Sequence, residues 1–158
     1  MYKRVLIPVD GSETAEAILP FILEIAGPLD FDIVLLRVTQ PAPPMAVEGS
    51  TWVSIDDVEL HQEACAAYLA GLAAEMKAKG VRVTTRVRRG WPVDEILAAA
   101  RDEGADLIAM TTHGRTGPAR LLFGSVAEGV LRHADTPVFL MRQTEREIAR
   151  RRREEVAR

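Results

Sequence analysis

Val81 to Arg88 reads VRVTTRVR. Val81, Val83, Thr85 and Val87 alternate with Arg82, Thr84, Arg86 and Arg88. A period of two marks a strand with one buried and one wet face. Charge on the wet face discourages stray pairing, which is how an edge strand is protected. Three other strand-like runs have a different character: Arg4–Val9 (RVLIPV), Asp32–Val38 (DIVLLRV) and Asp106–Met110 (DLIAM) are almost continuously apolar. Such runs belong inside a sheet that helices cover on both faces. Pro137–Met141 (PVFLM) is the fifth run. With the alternating strand at one edge and a turn back at the first strand, the order is 3-2-1-4-5.

Helical periods fill the gaps. Ile18, Phe21, Ile22 and Ile25 recur at i, i+3, i+4 and i+7, as do Val93, Ile96, Leu97 and Ala100, and Ala127, Val130, Leu131 and Ala134. Cys65, Leu69, Leu72 and Met76 form a similar stripe, with the cysteine as a core residue. Ser12 is placed to cap the first helix, and Gly27, Gly80 and Gly104 stand where helices end. Pro20 inside the first helical pattern predicts a kink or a late start. Alternating strands and helices give an α/β fold: an open five-stranded parallel sheet with helices on both faces.

The chain has 158 residues, enough for one domain with a proper core. Residues 1–142 read as that domain and 143–158 as a charged helical tail, where Glu147/Arg151 and Glu154/Arg158 are i, i+4 pairs. Arg150 to Arg153 could meet an acidic partner, but the interleaved glutamates favour a solvated tail. A net charge of −3 gives no basic field for nucleic acid or membrane. No run approaches the roughly 20 apolar residues of a membrane span. The apolar start ends at Asp10, too early for a leader, so a cytoplasmic protein is expected. One cysteine excludes an internal disulfide framework and any multi-cysteine metal site.

Ligands of open α/β sheets bind beyond the carboxyl ends of the strands, where the strand order reverses. Two unusual stretches fall there. One is Pro8-Val9-Asp10-Gly11-Ser12 after the first strand; the other is MTTHGRTGPARLLFGS, Met110 to Ser125, after the fourth. The second lacks GxxxxGK[ST] and GxGxxG, so neither familiar phosphate loop is present. Its glycines still permit close backbone approach to an anion, and a helix starting near Gly124-Ser125 offers free N–H groups. The plainer reading makes Ser125 an N-cap and nothing more. Arg115 and Arg120 either neutralise phosphate or face solvent. His113 has no neighbouring group to orient it as an acid or base. Trp91 and Trp52 could cover the cleft, the latter from the long connection Gln40 to Asp56.

RVLIPVDGSE, LLRV, ADLIAM, THGRTG…LLFGSVAE and HADTPVFLMR together resemble the universal stress protein family across residues 1–142. The resemblance implies ATP binding through a G-x2-G-x9-G-[S/T] motif, with Mg²⁺ or Mn²⁺ carried on the phosphates, and at most slow hydrolysis. Gly114, Gly124 and Ser125 match that motif; Thr111 stands in place of its first glycine. A positive φ there would exclude threonine, whereas a need only for a small residue would admit it. Asp10 resembles the residue that bonds the ribose hydroxyls, and its place where the strand order reverses favours that role over an Asx turn ahead of Ser12. Val38 resembles the residue whose backbone meets adenine. Pro8 and Met110 would wall the base, Val9 belongs to the same loop, and Val126 would offer its N–H to phosphate. The resemblance also implies a homodimer through strand 137–141, with unknown protein clients. The alternative is a dimeric interaction module of the same fold that takes no nucleotide.

Overall fold

The computed structural model describes residues 2–41, 55–114 and 124–144. Along the chain come β1 (Arg4–Pro8), α1 (Glu13–Glu16), α2 (Ile18–Leu29), β2 (Asp32–Thr39), α3 (Ile55–Ala78), β3 (Arg82–Arg89), α4 (Pro92–Asp102), β4 (Leu107–Gly114), α5 (Ser125–His133) and β5 (Val138–Thr144). The strands make one sheet in the order β3-β2-β1-β4-β5, and every pairing is parallel. Leu6 of β1 lies level with Val34 of β2 and with Ile108 of β4.

Side-chain alternation divides the core between the two faces of the sheet. Val5, Ile7, Ile33 and Leu35 pack with Ile18 and Ile22 of α2 and Leu69 and Met76 of α3. Leu6, Val34, Leu36 and Ile108 pack with Ile96 and Ala99 of α4 and Ala127 and Val130 of α5. The central strands are buried on both sides because they carry apolar residues at odd and even positions alike. β3 occupies an edge, as its alternation requires, with Val83 buried and Arg82, Thr84 and Arg86 exposed. Its arginines pair outward: Arg82 with Asp30 and Asp32, Arg86 with Glu103, and Arg88 with Glu95 and Asp102. Asp106, just before β4, binds the amino end of β1 through the N–H groups of Lys3 and Arg4, at 2.8 and 3.1 Å.

Pro20 acts through its missing N–H, which cannot bond to the Glu16 carbonyl. The helix therefore breaks at Ala17, and α2 restarts at Ile18 with Pro20 in its first turn, where no donor is needed. Gly27 does not end α2, contrary to expectation. The helix continues to Leu29, and Asp30 takes the left-handed turn with φ 56. Phe31 then bonds back to Ala26 at 3.2 Å. The same closure recurs at Gly80, where Val81 bonds to Met76, and at Gly104, where Ala105 bonds to Ala100. In each case the residue after the turn is buried and leads the chain into a strand.

β4 and β5 run longer than their apolar runs suggest. They stay paired from Ile108↔Val138 to Gly114↔Thr144, so Thr111, Thr112, His113 and Gly114 are strand rather than loop. The ladder satisfies their backbone groups, and that outweighs their polar side chains. β5 passes residue 142, and Gln143 is buried. Phe21 and Leu131, expected in apolar stripes, are exposed; Phe21 stacks on Phe139 with ring centroids 5.2 Å apart. The tail from residue 145, most of the long connection with Trp52, and Arg115, Gly117 and Arg120 lie outside the described residues.

Candidate functional site

A pocket of about 480 Å³ opens at the carboxyl ends of β1, β2 and β4, where the strand order reverses. Pro8, Val9, Asp10, Val38, Met110, Thr111, Gly124, Ser125 and Val126, all chosen from the sequence, line it. Gly114 is the last residue of β4. Parallel strands bring these groups together because each ends at the same side of the sheet and hands the chain to a loop there.

The turn after β1 is built by Asp10 and Ser12. Asp10 Oδ1 accepts the Ser12 N–H at 3.0 Å and the Ser12 hydroxyl at 2.6 Å. Ser12 Oγ in turn accepts the Ala15 N–H at 3.1 Å and caps α1, as expected. Gly11 between them has φ 82, which suits glycine. Partial enclosure works to raise the Asp10 pKa, but the Ser12 hydroxyl and N–H and the Arg37 charge outweigh it. The carboxyl ends below its ordinary value and stays ionised. The Asx-turn role is therefore present, and it engages Oδ1.

Across the pocket, α5 begins without a side-chain cap. Gly124 is the N-cap and Ser125 the first helical residue, so Ser125 is not the N-cap of the plainer reading. A glycine has no side-chain oxygen to offer the first helical N–H groups. Those groups and the positive end of the helix dipole remain available to an anion. A Cβ built on Gly124 would meet no described residue within 4 Å.

Thr111 sits in β4, level with Met141, and among described non-glycine residues only Asp30 has positive φ. Threonine is thus conformationally at ease where the motif has glycine. Thr111 continues the face of Ala109, toward α1 and α2, while Thr112 follows Met110 toward α4 and α5.

Arg37 also lines the pocket, and sequence reasoning did not single it out. It follows Ile33 and Leu35 on the α3 side of β2, with its guanidinium carbon 6.0 Å from the centre of the Tyr68 ring. Tyr68 lies partly buried and donates its hydroxyl to Glu16 Oε1 at 2.5 Å; both effects hold its proton on. The signal was available: a charge interrupts the apolar run DIVLLRV two residues before β2 ends. Pro92 lines the pocket as well, whereas Trp91 beside it is 67% exposed and is not among the lining residues.

Among the described residues, the buried side-chain nitrogens and oxygens without a hydrogen-bond partner are Arg37 Nε and Nη1, Thr111 Oγ1 and Thr112 Oγ1. All three residues are among those that line this pocket. Native interiors pair their buried polar groups, so such a concentration points to donors reserved for a ligand. Among the described residues no cluster of His, Cys, Asp and Glu is arranged to hold a metal ion. No described helix is long and apolar enough to cross a membrane.

Comparison with known proteins agrees with this geometry. The profile of the universal stress protein family matches residues 1–142. Universal stress protein MJ0531 of Methanocaldococcus jannaschii is 34% identical over 151 residues, covering 93% of this chain and 86% of its own. The solved structure of MJ0577 is 30% identical with a TM-score of 0.75, over 90% of this chain and 97% of that one. A universal stress protein from Archaeoglobus fulgidus, solved in complex with dAMP, shares the fold at 20% identity and a TM-score of 0.60. That match spans 88% of this chain and 97% of that one.

Proposed function

Because the chain belongs to the universal stress protein family, we propose that it binds an adenine nucleotide, ATP with Mg²⁺ or Mn²⁺, as a regulatory ligand. The observation that carries this reading is the convergence of unpartnered buried donors on the pocket between Asp10 and the open end of α5. In it, the N–H groups of Ser125 and Val126 take phosphate oxygens and Asp10 Oδ2 accepts from the ribose. Pro8, Met110 and Val38 border the base, and Gly114 at the end of β4 is assigned to the phosphates. The cation arrives on the phosphates, whose hard oxygens suit it. A fold-mate solved with dAMP supports the choice of an adenine nucleotide.

The role is regulatory rather than enzymatic, with slow hydrolysis at most. A cytoplasmic setting, protein clients and a homodimer through β5 belong to the same reading. β5 is the outer strand of the sheet beside β4, and an open apolar edge is best buried against a second copy. The competing reading, a dimeric module of the same fold without nucleotide, rests on the apolar edge of β5 and gains if Thr111→Gly creates binding that the parent lacks.

Calorimetry with ATP and Mg²⁺ tests the proposal. Saturable binding is expected, weakened about tenfold or more by Asp10→Ala through loss of a charged hydrogen bond. Gly124→Val places bulk at the amino end of α5, where a Cβ meets no described residue within 4 Å, and should also weaken binding. No binding at millimolar nucleotide refutes the proposal.

A further inference from the structure

The contacts named above for ATP leave the Arg37 nitrogens on the pocket unassigned. We propose that Arg37 is an anion site beside the ribose, so that the pocket takes, besides ATP, an adenine nucleotide carrying a phosphate on its ribose in addition to its 5′ chain. This rests on the nucleotide reading and sharpens its ligand class.

Position comes first. Leu36 and Val38 face α4 and α5, whereas Arg37 faces Tyr68 on the other side of the sheet. The amino end of α5, which takes the 5′ phosphates, is therefore on the opposite face from Arg37. Between them, Asp10 follows the end of β1. Arg37 acts on the Asp10 carboxylate through its charge, and both side chains line the pocket, on β2 and just after β1.

Chemistry points the same way. Nε and Nη1 are buried and have no partner among the described residues. The guanidinium carbon lies 6.0 Å from the centre of the Tyr68 ring, and its charge acts on the Asp10 carboxylate. Tyr68 spends its hydroxyl on Glu16. A guanidinium with unspent donors is matched by phosphate oxygens, its strongest acceptors. In dinucleotide sites an arginine beside the ribose is the group that accepts a ribose phosphate, where a carboxylate in its place selects the free hydroxyl.

Calorimetry on the full chain with AMP, adenosine 2′,5′-bisphosphate and adenosine 3′,5′-bisphosphate decides the matter. One bisphosphate should bind about tenfold more tightly than AMP, the factor a charge-assisted hydrogen bond supplies. Arg37→Met should erase that factor and leave AMP within about threefold. Arg37→Lys should keep part of the preference. The proposal is overturned if AMP binds the parent as tightly as both bisphosphates. It is also overturned if Arg37→Met weakens all three ligands equally, which would confine Arg37 to holding the Asp10 charge. Failure of all three and of ATP to bind would instead remove the nucleotide reading, and this one with it.

Discussion

Gly129, in the middle of α5, is the clearest place to test how α5 is held over the pocket. A glycine in a helix interior costs about 1 kcal/mol relative to alanine, so Gly129→Ala should stabilise the protein if space allows. It does not. The new Cβ would fall 2.7 Å from Val93 Cγ2 and 3.3 Å from Cγ1 on α4. Val93 is β-branched and stands inside a helix, which leaves it one favoured χ1 and no easy retreat. Overpacking of this kind costs roughly 1–3 kcal/mol. Set against the propensity gain, the net expectation is a loss of about 1 kcal/mol. Val93→Ala alone should cost about 1 kcal/mol through lost packing. In the double variant the alanine methyl enters the vacated space, so the two changes should couple favourably by about 2 kcal/mol. Urea denaturation of the four proteins, read by far-ultraviolet circular dichroism, measures each value. A stabilised Gly129→Ala with Val93 intact, or strictly additive effects, would refute the packing argument.

Two further outcomes follow from the pocket. Thr112→Val replaces a buried hydroxyl that has no partner with a methyl of the same shape. It should raise stability by up to about 1 kcal/mol while weakening nucleotide binding; a clear drop in thermal midpoint would contradict the assignment. Asp10 contributes through its ionised form, because its folded pKa lies below the ordinary 3.8. The stability advantage of the parent over Asp10→Asn should be complete above about pH 5 and disappear as the pH falls through the folded pKa. An advantage that persisted unchanged to pH 2 in nucleotide-free protein would show that the charge is not its source.

Much of this protein was legible in its residues alone. The alternation of Val81 to Arg88 marked an edge, the continuous apolar runs marked the interior, and the strand order followed from chain connectivity. Asp10, Met110, Gly124 and Ser125 were found because open α/β sheets bind ligands where their strand order reverses. The boundaries were less accessible. Thr111 to Gly114 have loop-like side chains, yet they pair with Met141 to Thr144, and only a neighbouring strand could show that their backbone is laddered. Gly27 looked like a helix end, but the register of Phe31 against Ala26 moved the turn to Asp30.

The sequence by itself determined the fold class, the strand order and the end of the sheet at which a ligand would sit. These depend on hydrophobic period and on loop chemistry, which are local and can be counted along the chain. Only the tertiary structure decided which polar groups remain unspent. Whether Arg37 or Thr112 has a partner depends on residues far apart in the chain, on which face of the sheet each occupies, and on what has already claimed its neighbours. Hydrogen-bond satisfaction belongs to the assembled molecule, and so does the part of the pocket that it marks.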